Sequence, residues 1–180
     1  MFLDIDFLKK HHSMIHFFGL GFVQLKIDNN LRMHFYHPEL MPIVPDEEVH
    51  NHRYDFISTI LAGELTQELF TVVAGESDFY MIEESCKEDK KVIPEKKPVI
   101  LVPLSKQTFK TGESYTSLTH EFHKVSTQYA ITRLYRSEII MDNATIIKNI
   151  NAEPVCPFSK KLSKEECWNA IDDCIKMAQK

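Results

Sequence analysis

The sequence lacks the features that mark several common classes of enzyme and binding protein. No apolar run approaches the ~20 residues that a helix needs to cross a bilayer. No phosphate-binding P-loop, dinucleotide-binding glycine fingerprint or serine nucleophile elbow occurs. Basic residues form no run, and the net charge is −5, so we expect neither a nucleic acid nor a membrane as a partner.

Cysteine is also scarce, and its spacing argues against a disulfide framework or a cysteine metal site. The four cysteines, Cys86, Cys156, Cys167 and Cys174, include no CxxC pair. No signal peptide is recognisable at the start of the sequence. Together these observations predict reduced thiols and a cytoplasmic protein.

The composition that is present fits a globular domain. Apolar residues make up 43% of the 180 positions and charged residues 26%, and this length favours a single domain over residues 1–180. Strand-like segments separated by turn residues follow one another from about residue 22 to 147, which favours an all-β sandwich or barrel. Within this region we expect a hairpin with a tight turn at Ala62-Gly63.

Helices are predicted at both ends of the β region. The apolar spacing over residues 4–18 predicts a helix that ends at Gly19. Residues 152–180 form a C-terminal extension, in which Ser163 and Glu166 have the spacing of a capping box. Cys167, Trp168 and later apolar residues recur at helical spacing, so this helix is predicted to pack on the outside of the barrel.

Histidine is unusually frequent, with nine residues, and two of them are spaced as metal ligands. His50 and His52 flank Asn51 just before an apolar strand. Residues i and i+2 of a strand point to the same side, with Cα atoms ~6–7 Å apart, so both imidazoles can reach one ion.

A third histidine, His123, lies on a predicted strand about 70 residues later in the chain. A barrel brings such distant strands together, and three protein ligands leave coordination positions open for a substrate and O2. His120 is three residues from His123, so strand alternation predicts that it faces the other side.

These motifs resemble those of the cupin superfamily. The HxH pair at His50 and His52, then Gly63 and later His123, occur in the order of the two cupin motifs. Within the superfamily the pattern is most similar to the cysteine dioxygenase (thiol dioxygenase) branch, through Phe56 and the segments "ILAGELTQELF", "FHKV" and "ITRLY". The resemblance extends from about residue 22 to 136.

The resemblance implies a mainly β fold, a double-stranded β-helix (cupin) barrel with a core at about 22–147. It implies a metal-dependent cupin that acts as a non-haem Fe(II) oxygenase on a small molecule. Iron(II) is the expected metal, and zinc, manganese or nickel are the alternatives. A binding cupin without catalysis, or a zinc or manganese isomerase, would share the same motifs, and edge strands could pair into a homodimer.

Two departures from the thiol dioxygenase pattern bear on the substrate. No cysteine occurs near Phe56, where that branch can form a crosslink to a tyrosine. Gln24 stands where the branch has the arginine that binds the cysteine carboxylate. We therefore expect that free L-cysteine is not the preferred substrate, because a carboxylate needs a cationic partner.

Further residues are candidates for the pocket. The tyrosine of the branch falls on Tyr135 or, without a gap, on Arg136. Tyr54, Arg133 and Tyr135 are predicted to orient the substrate or to supply a proton, although the strand register is left open. Asp55 lies close to the position of a carboxylate ligand in many cupins, which leaves open a fourth ligand or a site of two histidines and one carboxylate.

Overall fold

The structure is a computed structural model that describes residues 3–42, 49–84, 95–151 and 161–179. Its elements in chain order are α1 (Ile5–His11), β1 (Met14–Phe18), β2 (Phe22–Lys26), β3 (Leu31–Tyr36), β4 (Val49–His50), β5 (Phe56–Glu84), β6 (Lys97–Lys110), β7 (Ser114–Ser117), β8 (Phe122–Ser126), β9 (Ala130–Arg136), β10 (Ala144–Asn149) and α2 (Lys164–Ala178). None of the described helices is long and apolar enough to span a membrane.

The strands form two antiparallel sheets. In sheet A the order is β1-β2-β3-β9-β5-β7, and it uses the first part of β5. In sheet B the second part of β5 lies between β6 and β8, and β8 pairs with β4. The central strands β3-β9-β5-β7 and β4-β8-β5-β6 have the order of an eight-stranded jelly roll built from two Greek keys. The predicted double-stranded β-helix (cupin) barrel is confirmed.

The predicted hairpin at Ala62-Gly63 is wrong. Strand β5 runs without a break from Phe56 to Glu84 and passes from sheet A to sheet B near Gly63. A bulge lies between Ile60 and Ala62, and Gly63 has a φ of 76°. A Cβ at Gly63 would lie within 2.2 Å of the Tyr129 carbonyl oxygen. Glycine is therefore needed to bend the strand, where the sequence suggested a chain reversal.

The N-terminal helix is shorter than predicted. Asp4 caps α1 by accepting a hydrogen bond from the Asp6 amide, and the helix ends at His11. Residues Met14–Phe18 form strand β1, which pairs with β2 along its whole length. Apolar residues of this segment satisfy a helical and an alternating pattern equally well, and pairing with β2 decides between them.

The two faces of sheet A bury different residues. The barrel interior contains the apolar cluster Phe22, Tyr36, Phe56, Ile60, Leu65, Phe109, Tyr115, Ala130 and Leu134. The outer face contributes Val23, Leu25, Met33, Phe35 and Ile131 to a second cluster, which α2 completes. Residues of β3 and β9 therefore alternate between the interior and the helix-covered face, and even-numbered positions point inward.

Helix α2 confirms the C-terminal prediction. Ser163 and Glu166 form the capping box, and the buried face consists of Cys167, Trp168, Ile171, Cys174 and Ile175. Cys167 and Cys174 are free thiols in this core. Cys86 and Cys156 lie outside the described residues, as do the other positions of 43–48, 85–94 and 152–160.

Replacing the tryptophan of α2 should destabilise the protein, since this residue belongs to the cluster outside the barrel. Trp168 is 9% exposed in the outer cluster, edge-on to the His12 ring. We expect Trp168→Ala to lower the free energy of unfolding by about 3–5 kcal/mol, because a large core side chain is lost. Asn169→Ala, on the exposed side of the same helix, should change it by less than about 0.5 kcal/mol. Urea unfolding measures both, and an equal loss in both variants would contradict this assignment.

Candidate metal centre

Three histidines meet at one end of the barrel interior. His50 of β4 pairs directly with His123 of β8, and His52 follows two residues after His50. The three ring centroids are 4.8 to 5.0 Å apart. One nitrogen of each ring lies within 4.8 Å of the corresponding nitrogen of the other two, so the group can hold a metal ion. Nε2 of His52 lies 2.8 Å from Nε2 of His123, and ligand bonds of ~2.0–2.1 Å to a metal would replace this hydrogen bond.

The residue between the two histidines holds them in place. Asn51 is buried and points away from the rings, towards β10. Its backbone N–H donates to the Thr145 carbonyl oxygen at 3.0 Å, and its side-chain oxygen accepts from the Thr145 N–H at 2.7 Å. Asn51 thereby extends the pairing of β4 with β10 beyond the two residues of the strand itself.

His123 has a polar partner on the side of its ring that faces away from the other histidines. The Gln67 amide lies 3.2 Å from Nδ1 of His123, and both residues are buried. In this orientation the amide nitrogen donates to Nδ1, so the proton of neutral His123 is on Nε2, 2.8 Å from Nε2 of His52. With the amide turned over, its oxygen would accept from Nδ1, and Nε2 would keep its lone pair for a metal. Such outer partners fix the ring orientation and the tautomer of metal-binding histidines.

The environment keeps these imidazoles in their ligand form. Burial holds the pKa of His52 well below its ordinary value, and the neighbouring His50 and His123 lower it further. Burial, and then His50, likewise lower the pKa of His123. Both rings are therefore neutral at pH 7, so no proton has to leave before a metal binds.

A row of polar residues continues from the histidines along the inner face of sheet A. His16, Gln24, His34 and Thr132 are successive cross-strand neighbours on β1, β2, β3 and β9. The Gln24 amide nitrogen lies 3.2 Å from Nε2 of His34. Burial, and then Arg32, lower the pKa of His34 to about 3. Inspection of the sequence identified no role for His16 or His34, since their shared row depends on strand pairing.

Two arginines, for which the sequence predicted no role in binding, lie next to this row. Arg32 donates from Nη1 to the Tyr54 hydroxyl at 2.7 Å, and its Cζ lies 5.1 Å from the Tyr54 ring centroid. The Arg136 Cζ lies 5.0 Å from the same centroid. Tyr54 in turn lies 5.7 Å from the His52 ring. Gln24 is therefore not the only group near the histidines that could meet a carboxylate, since two guanidinium groups lie against Tyr54. That free L-cysteine is not the preferred substrate stays a prediction.

The structure places the remaining candidates away from the histidines. Arg133 and Tyr135 occupy outward positions of β9, and Tyr135 is 59% exposed. Arg133 lines a cleft beside α1 on the outer face of the sheet. The Asp55 carboxylate accepts a hydrogen bond from the Thr119 N–H at 2.7 Å, and Asp55 is not part of the three-histidine group. His120 is exposed in a turn, in agreement with the outward orientation predicted for it.

Comparisons with known proteins add a distant structural match. No known protein family and no curated protein matches the sequence. A solved structure of hydroquinone 1,2-dioxygenase from Sphingomonas sp. TTNP3 with 4-hydroxybenzoate bound is similar over 70% of this chain, with 10% sequence identity and a TM-score of 0.25. The match spans 62% of that protein, which is less than two thirds of its length. The assignment of the fold rests on the strand order of this chain.

Removing any of the three histidines should abolish tight metal binding. We expect His50→Ala, His52→Ala and His123→Ala each to weaken metal affinity by more than the ~10–100-fold that loss of an outer partner costs. His120→Ala is the matched control, because its exposed ring lies outside the group. Metal content after equilibration with a buffered metal solution measures the effect. Loss of metal from His120→Ala with retention in His123→Ala would show that the group is misassigned.

His34 should make the metal-free protein sensitive to acid. Its folded-state pKa of about 3 lies below the ordinary value of 6.5, so the unfolded chain takes up the proton first as the pH falls. The contribution of the neutral ring is complete above about pH 6.5 and is lost towards pH 3, at up to about 1.4 kcal/mol per pH unit. Urea unfolding of wild type and His34→Leu between pH 7 and 4 should give a shallower pH dependence for the variant. Parallel curves would contradict a buried neutral His34.

Proposed function

We propose that this protein is a metal-dependent cupin that acts as a non-haem Fe(II) oxygenase on a small molecule. The observation that carries the proposal is the group of His50, His52 and His123, whose ligand nitrogens lie within 4.8 Å of one another. Three imidazole ligands leave the other positions of an ion free for exogenous ligands. A bound Fe(II) would supply the redox chemistry that activates O2.

Side chains around the three histidines would shield the metal site from water and orient the substrate. The Phe56 ring lies edge-on to His52, with centroids 4.8 Å apart, and is buried in the inner cluster. The Tyr54 oxygen accepts a hydrogen bond from Arg32, so the Tyr54 proton is directed to a different acceptor. Tyr54 is thus the candidate to donate a proton to a substrate, and it replaces Arg133 and Tyr135 in that role.

Metal analysis and O2 consumption together test this proposal. The protein is purified without a histidine tag, analysed for metals, and then loaded with Fe(II) under anaerobic conditions. After O2 is admitted, its consumption is followed with a panel of small thiols, phenols and organic acids, including L-cysteine. We expect bound iron and O2 uptake that depends on one class of substrate and requires His50, His52 and His123.

The other outcomes separate the competing functions. Zinc or manganese in the purified protein, with no O2 uptake in the Fe(II)-loaded form, would indicate an isomerase or related cupin. Absence of metal affinity would indicate a binding cupin without catalysis. Sulfinate formation from L-cysteine would assign the thiol dioxygenase activity that the sequence motifs resemble. Arg133→Met is the control for general effects of substitution, since Arg133 lies on the outer face.

A further inference from the structure

Two guanidinium groups face the interior of the barrel next to the candidate metal centre. Arg32 occupies an inward position of β3, and Arg136 occupies an inward position of β9 and is 9% exposed. Both Cζ atoms lie within 5.1 Å of the Tyr54 ring centroid, so both groups lie against the same ring. A guanidinium keeps its charge at every pH that a protein tolerates, so this corner of the barrel has two fixed positive charges.

These groups have donors that the described chain does not satisfy. On Arg32 the Nη1 nitrogen binds the Tyr54 hydroxyl, and on Arg136 the Nη1 nitrogen binds the Ser137 carbonyl oxygen. The Nε of each is buried without a hydrogen-bond partner among the described residues. Nε and Nη2 form the edge of a guanidinium that binds a carboxylate through two parallel hydrogen bonds. On both arginines the Nε of this edge lacks a partner among the described residues.

Two hydroxyl groups on the same inner face are also unpaired. Thr132 Oγ1 and Ser117 Oγ are buried without a partner among the described residues. Ser117 and Arg136 flank Phe56 in one cross-strand row, and Thr132 lies one inward position beyond Leu134 on the strand of Arg136. Buried polar atoms in native proteins are almost always hydrogen-bonded, and each unsatisfied one costs free energy. Four such atoms on one face indicate that a polar ligand supplies their partners.

The charge of this face indicates the sign of the charge on that ligand. No acidic residue occupies an inward position on the described strands of sheet A. No carboxylate among the described residues forms an ion pair with Arg32 or Arg136. Buried charges need a counter-charge, because desolvation without one is costly.

We propose that Arg32 and Arg136 bind a small dicarboxylate, with each guanidinium taking one carboxylate. This inference names the substrate class of the proposed function and rests on it for the reaction, although not for the binding. A dianion offsets both charges, and two carboxylates supply acceptors for the two unpartnered Nε–H groups, with Thr132 and Ser117 as further donors. An amino-acid zwitterion fits less well, since its ammonium group would meet two cations.

The test uses the metal-free protein, so that a carboxylate cannot bind to the ion instead. Succinate, succinamate and succinamide have the same backbone with two, one and no carboxylates, and they are titrated calorimetrically in a low-chloride buffer. Malonate and glutarate cover the neighbouring chain lengths. We expect at least one dicarboxylate to bind at least tenfold (1.4 kcal/mol) more tightly than the corresponding monoacid, and the diamide not to bind.

Variants assign the binding to the two arginines. Arg32→Met and Arg136→Met should each weaken dicarboxylate binding at least tenfold and remove the preference over the monoacid. Arg133→Met is the matched control, because Arg133 is on the same strand β9. It should bind dicarboxylates as the wild type does, since its side chain points outward. Arg32→Lys and Arg136→Lys preserve the charge and serve where a methionine variant does not fold, with an intermediate loss expected.

Several results would overturn the proposal. These are equal binding of the diacid and the monoacid, binding that is unchanged in the arginine variants, no binding of any dicarboxylate, and tighter binding of inorganic phosphate or of L-alanine. None of these depends on iron or O2. Dicarboxylate binding without O2 uptake would therefore contradict the proposed oxygenase function alone, and O2 uptake without dicarboxylate binding would contradict this inference alone.

Discussion

The pairing of β4 with β8 is the contact on which the candidate metal centre depends. It places His50 opposite His123, two residues that are far apart in the sequence. Strand β4 contains only Val49 and His50, and such a short strand has little stability of its own. Its position comes from β10 on its other edge and from the two hydrogen bonds between Asn51 and Thr145. The geometry of the histidines is thus coupled to closure of the barrel.

Sheet A separates a stabilising face from a functional one. Its outer face packs against α2 in a cluster that is almost wholly apolar, and Trp168 and Ile171 belong to it. The apolar burial that this cluster provides allows the inner face to hold groups that are costly to bury, such as the neutral His34 and the Nε of Arg136, which has no partner among the described residues. Departures from good packing and full hydrogen bonding are concentrated at functional sites in natural proteins. Here they surround the three histidines.

The inner face also combines two kinds of side chain with different electrostatic requirements. His52 is partly buried and His123 is buried, and the pKa of each is lowered, so they add no charge at pH 7. Arg32 and Arg136 cannot lose their charge and stand beside them with Tyr54 between the two sets. Neutral metal ligands next to fixed cations form a site that can attract an anion while it holds a metal ion through uncharged nitrogens.

The sequence alone determined the features that depend on short spacing. Alternation along a strand predicts that His50 and His52 project together, and the motif order predicts His123 as the third member; the structure brings all three together. The capping box at Ser163 and Glu166 and the apolar stripe of α2 are likewise local patterns, and both are confirmed. The number and spacing of the strands favour an all-β sandwich or barrel, and the resemblance of the motifs favours the barrel.

Only the tertiary structure decided which residues of β9 and β3 face the histidines. Strand β9 has polar residues on both faces, one towards the helix side and one towards the barrel interior. A register shift of one residue would exchange the two faces. The register turns Arg133 and Tyr135 outward and Arg136 inward, and it pairs Arg32 with Leu134 across the sheet. The bend at Gly63 is of the same kind, since glycine permits either a hairpin or a change of sheet. Its contact with the distant Tyr129 backbone selects the second.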